Sequence, residues 1–169
     1  MKIRRLQAGD GALFGEIRLE ALREEPFSFA AHLSDYAEFS SKDWGRALAS
    51  RTAFVAFDGD RPVGLASLLS EALSRLAHRG MVTNVYVSPR VRRAGVASLL
   101  LDAVETEARA RGMVQLELAV NAENAGALSF YESRGYERIG LVPRGFRHGD
   151  RYFDEVLFAL ALDSTTGLA

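Results

Sequence analysis

The sequence predicts a single α/β domain in which helices flank a mixed, mostly antiparallel central sheet. In the first half of the chain, β-rich runs over residues 52–57 and 62–69 are separated by Asp58-Gly59-Asp60, a turn signal typical of an antiparallel hairpin. In the second half, β-rich and amphipathic segments alternate as strand, helix, strand and helix, an order typical of α/β proteins. The length of 169 residues suits one core. We therefore expect one domain over residues 1–162 and a C-terminal tail over 163–169.

The composition is that of an ordinary globular protein, with 48% apolar and 25% charged residues. Twenty-one basic and 22 acidic residues give a net charge of −1, which argues against a broad nucleic-acid-binding surface. Cysteine is absent, which excludes disulfides and thiolate chemistry, and His32, His78 and His148 lack a zinc-ligand spacing. No run approaches the roughly 18 apolar residues of a membrane span, and no signal core follows the N-terminus. We expect a cytoplasmic protein without a metal or a membrane partner.

The first third of the chain predicts a short strand followed by two helices. The strand is expected over residues 2–6. Asp10 is a favourable N-cap for a helix that extends to Arg23 and ends before Pro26, and a second helix is expected to start near Ser41. The junction between the helices is enriched in aromatic residues, for which ordinary core packing is one explanation. These are Phe27, Phe29, Tyr36, Phe39 and Trp44.

The remaining elements follow from hydrophobic periodicity. Residues 70–79 are expected to form a loop that leads into a strand over 81–87. After Gly95, apolar residues recur at the spacing of one helix face, and Gly112 is a suitable end for that helix. The face comprises Val96, Leu99, Leu100, Ala103, Val104 and Ala108. The later elements are a strand over 115–120, a helix over 124–134, a strand over 136–142, a loop over 143–150 and a strand over 151–162.

The segment Arg92-Arg93-Ala94-Gly95-Val96-Ala97 has the features of an anion-binding loop. The first N–H groups of a helix have no partner within the helix, and the positive end of the helix dipole attracts anions. Gly95 and Ala97 leave room for a ligand to approach the backbone. Arg92 and Arg93 are unfavourable beside a positive dipole end unless an anion binds there. The spacing lacks the lysine of a nucleotide phosphate loop and the glycine pattern of a dinucleotide fold.

This loop resembles the pyrophosphate loop of the GNAT superfamily of acyl-CoA N-acyltransferases, whose pattern is Gln or Arg, two variable residues, Gly, one variable residue, and Gly or Ala. A second block, Asn124-Ala125-Gly126-Ala127 with Tyr131 and then Gly135-Tyr136, resembles the family's Asn-x-x-Ala helix, tyrosine and Gly-aromatic ending. The resemblance covers residues 52–162. It implies an acetyl-CoA-dependent N-acetyltransferase with a GNAT-like sheet splayed between its fourth and fifth strands, and it places the aromatic region of residues 27–44 beside the acceptor.

The resemblance also implies roles for individual residues. The backbone of Val85, Tyr86 and Val87 is expected to pair with the pantetheine arm, and residues 92–97 are expected to hold the diphosphate. Asn124 is expected to bond pantetheine, to cap its own helix, or both. Tyr131 is expected to protonate the leaving thiolate, because a phenol with a pKa of about 10 stays protonated at neutral pH and the thiol pKa is about 8.5. Core packing is the alternative role for Tyr131.

The general base is not identified by the sequence. Related ribosomal-protein alanine N-acetyltransferases have a glutamate five positions before the Asn-x-x-Ala helix, where this chain has Ala119. A structural carboxylate is the simpler interpretation of Glu117, Asn84 is suited to orient a water, and His148 is expected in a loop that folds over the acceptor, but none of the three is assigned as the base.

The leading hypothesis is direct transfer of an acetyl group from acetyl-CoA to the primary amine of a small molecule within a ternary complex. The alternatives are a catalytically silent acyl-CoA-binding domain, a peptide N-terminal acetyltransferase and a nucleotide-binding regulator. A homodimer is possible through pairing of the last strand across a two-fold axis.

Overall fold

The computed structural model describes residues 1–163, in which seven strands form one sheet in the order β1-β2-β3-β4-β5-β7-β6. The strands are β1 (Lys2–Arg5), β2 (Thr52–Asp58), β3 (Arg61–Ser70), β4 (Arg79–Val87), β5 (Gln115–Asn121), β6 (Glu137–His148) and β7 (Arg151–Ala161). The helices are α1 (Gly11–Glu24), α2 (Ser41–Ala49), α3 (Val96–Ala110) and α4 (Ala125–Ser133). All neighbouring strands are antiparallel except β4 and β5, which are parallel. The predicted fold class is confirmed.

Each face of the sheet is covered by its own hydrophobic cluster. The first cluster joins α3 and α4 to the sheet around Leu100, Leu116 and Phe158, which are fully buried. The second cluster joins α1 and α2 to the opposite face around Ile17 and Val55. Because successive strand residues point to opposite faces, the sheet supplies side chains to both clusters, and any opening between its strands connects the two sides of the protein.

The sheet opens between β4 and β5, as predicted. The two strands pair over three positions only, from Arg79 with Gln115 to Met81 with Glu117. Beyond this point, residues 82–87 of β4 and 118–121 of β5 line a shared cavity instead of pairing. The parted edges carry backbone N–H and C=O groups that require other partners.

A β-bulge in β4 determines which side chains face the opening. Two residues of β4, Asn84 and Val85, lie opposite Ala66 of β3, and Asn84 has a φ of 56°. The extra residue reverses the alternation of the strand. Val82 before the bulge therefore belongs to the α3 cluster, whereas Tyr86 after it belongs to the α1 cluster.

The prediction of a loop over residues 143–150 is wrong. Strand β6 continues to His148, and only Gly149 and Asp150 turn the chain into β7. Pro143 and Gly145 are accommodated by an irregularity between Val142 and Phe146. An edge strand tolerates this interruption because its outer N–H groups need no ladder partner.

Two smaller predictions are also corrected. Leu99 was expected on the buried face of α3 but is 42% exposed, and Leu101 is fully buried in its place. The carboxylate of Asp10, expected to cap α1, instead accepts hydrogen bonds from the Gln7 N–H at 2.7 Å and from Arg4 at 2.7 Å.

Some expectations are only partly covered by the described residues. Of the tail predicted over 163–169, residues 164–169 lie outside them. Within residues 1–163, no helix combines the length and apolarity needed to cross a bilayer.

Candidate functional site

The opening between β4 and β5 forms a cavity of about 590 Å³. Its walls come from the parted strands, from α4, from the start of α3 and from the segment that follows α1. An adjoining concavity of about 310 Å³ lies at the start of α3 and shares Arg92, Arg93 and Ala97 with it. Together the two form a continuous groove from the first turn of α3 to the middle of the sheet.

The start of α3 combines a sharp reversal of the chain with N–H groups that have no partner within the helix. Arg93 and Gly95 have φ values of 64° and 76°, so the chain reverses sharply before the helix. The Leu99 N–H donates to the Gly95 carbonyl at 3.1 Å. The N–H groups of Val96, Ala97 and Ser98 precede this bond and have no acceptor within the helix. Val96, Ala97 and Ser98 all line the smaller concavity, where an anionic group would satisfy these N–H groups.

The other residues of the loop over 92–97 differ in whether they line the groove. Arg92, Gly95 and Val96 line the groove, whereas Ala94 lines neither part of it. Gly95 has open space where a Cβ would stand, so its positive φ, not a steric contact, is what favours glycine there.

The three predicted residues of β4 take different positions. Val85 and Val87 are partly buried against the α3 cluster and line the cavity. The Tyr86 ring points away from them into the α1 cluster, where its hydroxyl donates to Glu20 Oε1 at 3.0 Å and burial raises its pKa. Only the backbone of Tyr86 is therefore in a position to contact a ligand in the cavity. The Val87 carbonyl accepts a hydrogen bond from Arg92 Nε at 3.3 Å.

Tyr131 lies in α4, lines the cavity and is 7% exposed. Its ring packs edge-on against Tyr136, with ring centroids 5.5 Å apart, and lies tilted against Phe158, with centroids 6.2 Å apart. Burial raises the pKa of its phenol well above the ordinary value, because the charged phenolate is poorly solvated in this environment. The phenol is therefore fully protonated at neutral pH.

Asn124 caps α4, which was one of its two predicted roles. Its Oδ1 accepts from the Ala127 N–H at 3.0 Å. Its Nδ2 donates to Ser28 Oγ at 3.4 Å, across the mouth of the cavity. Capping uses only Oδ1 of the amide, so Nδ2 can donate a hydrogen bond to a partner on the cavity side.

Of Glu117, Asn84 and His148, which the sequence singled out near the chemistry, only Asn84 lines the cavity. Glu117 lies where β4 and β5 still pair, and Arg79 at 2.9 Å and Gln115 at 2.7 Å both donate to it. The His148 ring packs against Phe27 and does not line the cavity. Ala119 does line it, at the position where the ribosomal-protein enzymes have a glutamate.

The sequence did not reveal that Glu25, Ser28 and Asn121 line the cavity. Asn121 Nδ2 donates to the Phe27 carbonyl at 2.8 Å, and Glu25 forms an ion pair with Arg92. No local pattern marks these residues, because the contacts join parts of the chain about 70 to 95 positions apart.

The aromatic region contributes less to the cavity than expected. Of the five aromatic residues, only Phe29 lines it. Tyr36 stacks on Trp44 with centroids 5.1 Å apart, and Phe39 packs edge-on against both. Tyr36 and Trp44 belong to the α1 cluster of the core and, like Phe39, do not line the cavity.

The family model described as the acetyltransferase (GNAT) family matches residues 17–136. The chain belongs to the GNAT acetyltransferase family. It is an acetyl-CoA-dependent N-acetyltransferase.

Similar proteins include GNAT enzymes with different acceptors. The [ribosomal protein bS18]-alanine N-acetyltransferase of Salmonella typhimurium is 27% identical over 119 residues, 67% of this chain and 80% of that protein. The structure of yncA from Salmonella typhimurium, which holds its cofactor acetyl-CoA, has a TM-score of 0.81 at 20% identity and covers 100% of this chain and 98% of its own. An aminoglycoside 6'-acetyltransferase type Ii has a TM-score of 0.73 at 18% identity and covers 98% and 100%. These two structures show a shared fold.

Proposed function

We propose that this GNAT enzyme acetylates the primary amine of a small molecule by direct attack within a ternary complex with acetyl-CoA. The observation that carries the proposal is the continuous groove between the parted strands β4 and β5. It leads from the N–H groups at the start of α3 to the phenol of Tyr131. An anion-binding end and a proton donor are the two features that a CoA thioester requires of its site.

Residues along the groove suit successive parts of acetyl-CoA. The N–H groups at the start of α3, with Arg92 and Arg93, suit the diphosphate. The unpaired backbone edge around Val85 and Val87 suits the amides of the pantetheine arm, which pair as an added strand does. Asn124 is positioned to donate to the same arm through Nδ2.

The chemistry requires three separate tasks. A backbone N–H at the end of β4 would hold the thioester carbonyl and stabilise the oxyanion. Tyr131 would give its proton to the departing thiolate. An alkyl amine has a pKa of about 10.4, so it must lose a proton before attack. With Ala119 in place of a carboxylate, we propose that this proton leaves through water oriented by the Asn84 amide.

The absence of cysteine supports direct attack over a covalent acetyl-enzyme. The sequence has no cysteine to form an acetyl-enzyme thioester. The amine nitrogen would therefore attack the acetyl carbon to form a tetrahedral oxyanion, and the carbon–sulfur bond would break as that oxyanion collapses to the amide. The amine proton would pass to water and the Tyr131 proton to sulfur.

The small-molecule acceptor is favoured over a peptide by the segment Glu25–Phe29. Glu25, Ser28 and Phe29 of this segment line the cavity, and the segment is held by Arg92 on one side and by Asn121 and Asn124 on the other. A small amine needs less room than an extended peptide. The alternative is a peptide N-terminus, supported by the bS18-alanine relative.

Thiol release from acetyl-CoA tests the proposal across a panel of small amines, amino acids, aminoglycosides and N-terminal peptides. Calorimetry on the same protein measures acetyl-CoA binding separately. Small amines are expected to give the fastest release. Preference for a peptide would overturn the proposed acceptor, and binding of acetyl-CoA without thiol release on any small amine would overturn the proposed reaction. Absence of binding at millimolar acetyl-CoA would end the proposal.

A further inference from the structure

The segment Glu25–Phe29, which we call the strap, bridges two groups of residues proposed to bind acetyl-CoA. At one end, the Glu25 carboxylate forms an ion pair with Arg92 of the diphosphate loop. Within the strap, Ser28 Oγ donates to Glu25 Oε2 at 3.3 Å. At the other end, Asn124 Nδ2 donates to Ser28 Oγ at 3.4 Å. A chain of polar contacts therefore runs from the start of α3 to the start of α4.

Glu25 has an unfavourable charge for this location once a diphosphate is bound. It is the one acidic residue that lines the cavity within residues 1–163. Its carboxylate is paired with the Arg92 guanidinium, which is also proposed to bind the diphosphate. A diphosphate beside the pair would compete for that cation and repel the carboxylate.

The ion pair is accessible enough to be exchanged. The side chains of Arg92 and Glu25 are 47% and 30% exposed. Pairs in such positions are held weakly, because water and salt screen them. The neighbouring Arg90 has its own partner, Glu20 at 3.6 Å, which lies outside the cavity lining. Glu25 therefore differs from Glu20, because it lines the cavity in which acetyl-CoA is proposed to bind.

We infer that Glu25 is a displaceable counterion, which neutralises Arg92 in the free protein and is exchanged for the diphosphate of CoA. The inference rests on the proposed acyl-CoA site. Its consequence is a link between the two substrates, because release of Glu25 frees one end of the strap. The strap also carries Phe29, which lines the cavity. Glu25 is in this sense a positioning residue, and it takes no part in the chemical step.

The test compares Glu25→Gln with wild type and with Glu24→Gln. Glu24 is the preceding residue, is exposed and does not line the cavity, so its substitution removes the same charge without touching the Arg92 pair. Binding of acetyl-CoA is measured by calorimetry at low salt. S-acetylpantetheine, which lacks the diphosphate, is measured in parallel by displacement.

Glu25→Gln is expected to tighten acetyl-CoA binding by about two- to tenfold, the range given by one or two weakly held charge interactions. The gain is expected to fall toward onefold at high salt. Glu24→Gln is expected to leave acetyl-CoA binding close to wild type, and S-acetylpantetheine is expected to bind all three proteins alike.

Three results would overturn the inference and leave the proposed function intact. They are unchanged or weaker acetyl-CoA binding by Glu25→Gln, an equal gain in Glu24→Gln, and an equal gain for S-acetylpantetheine. If the wild-type protein binds neither compound, the proposed acyl-CoA site itself is refuted. Because Glu25 is partly exposed, its glutamine variant is expected to fold, and thermal unfolding checks this.

Discussion

The phenol of Tyr131 is expected to be the proton donor of the reaction, and Tyr131→Phe removes only that hydroxyl. The ring stays packed against Tyr136 and Phe158, so the hydrophobic contacts of α4 are kept. The hydroxyl forms no hydrogen bond to another residue of the described chain. Its removal is therefore expected to change the free energy of unfolding by less than about 1 kcal/mol.

The effect on turnover is expected to be much larger than the effect on stability. A positioned general acid contributes about 100- to 10,000-fold to a rate. This corresponds to about 2.7 to 5.4 kcal/mol of the activation barrier. In Tyr131→Phe, kcat for amine-dependent thiol release is expected to fall by that factor. The acetyl-CoA Kd from calorimetry is expected to stay within about twofold, because the hydroxyl is proposed to act at the sulfur and not in binding.

Tyr136→Phe is the matched control. Tyr136 is also a buried tyrosine, and its hydroxyl is buried without a partner, but it does not line the cavity. Its kcat is expected to remain near wild type. If kcat of Tyr131→Phe is also near wild type, or if both variants lose the same activity, the role assigned to Tyr131 is wrong.

Three further predictions concern the anion loop, the core and pH. Gly95→Ala is expected to weaken acetyl-CoA binding. It should also cost about 1–2 kcal/mol of stability because of the φ of 76° alone, since nothing lies within 4 Å of the added Cβ. Gly112→Ala, at the other end of α3, has a φ of 75° and equally open space, so it should cost similar stability without loss of affinity. Leu100→Ala, at a fully buried position, should lower the free energy of unfolding in urea by about 2–5 kcal/mol, and a change below this range would contradict the close packing of α3. The hydrogen bond from Arg4 lowers the pKa of Asp10. The stability that ionised Asp10 contributes is therefore present above its ordinary pKa and is lost as the pH falls through the lowered pKa. Asp10→Asn should lower Tm at neutral pH but not in strong acid, and an equal loss of Tm at both would refute the assignment.

The sequence predicted the fold well because most elements depend on local patterns. The hairpin of β2 and β3 follows from its turn residues, and the helical spacing after Gly95 defines α3. The free N–H groups at the start of α3 could be predicted for the same reason, since every helix start presents them, and their role in binding an anion stays a prediction. The positive φ of Gly95 agrees with that prediction.

The predictions that failed depend on the position of a residue in the sheet. Pro143 and Gly145 indicate a loop by their local preferences, but on the edge strand β6 they are tolerated, and the strand continues past them. Leu99 fits the helical period of α3, but it faces solvent because Leu101 takes the buried position.

Much of the cavity could not be predicted because it depends on contacts between distant segments. The bulge at Asn84 determines that Val85 faces the cleft and Tyr86 does not, and nothing in the strand sequence marks it. The placement of Glu25 beside Arg92 depends on how α1 crosses the sheet. The general base stays unassigned, because Ala119 replaces the expected carboxylate and Asn84 offers only an amide.

The central claim is that the start of α3 and the parted strands β4 and β5 bind acetyl-CoA. A crystal structure of the protein grown with CoA tests it most directly. The diphosphate oxygens are expected within hydrogen-bond distance of the N–H groups of Val96 and Ala97, with the pantetheine arm between residues 82–87 and 118–121 and the sulfur near the Tyr131 hydroxyl. A CoA molecule bound elsewhere, with the cleft empty, would contradict the claim.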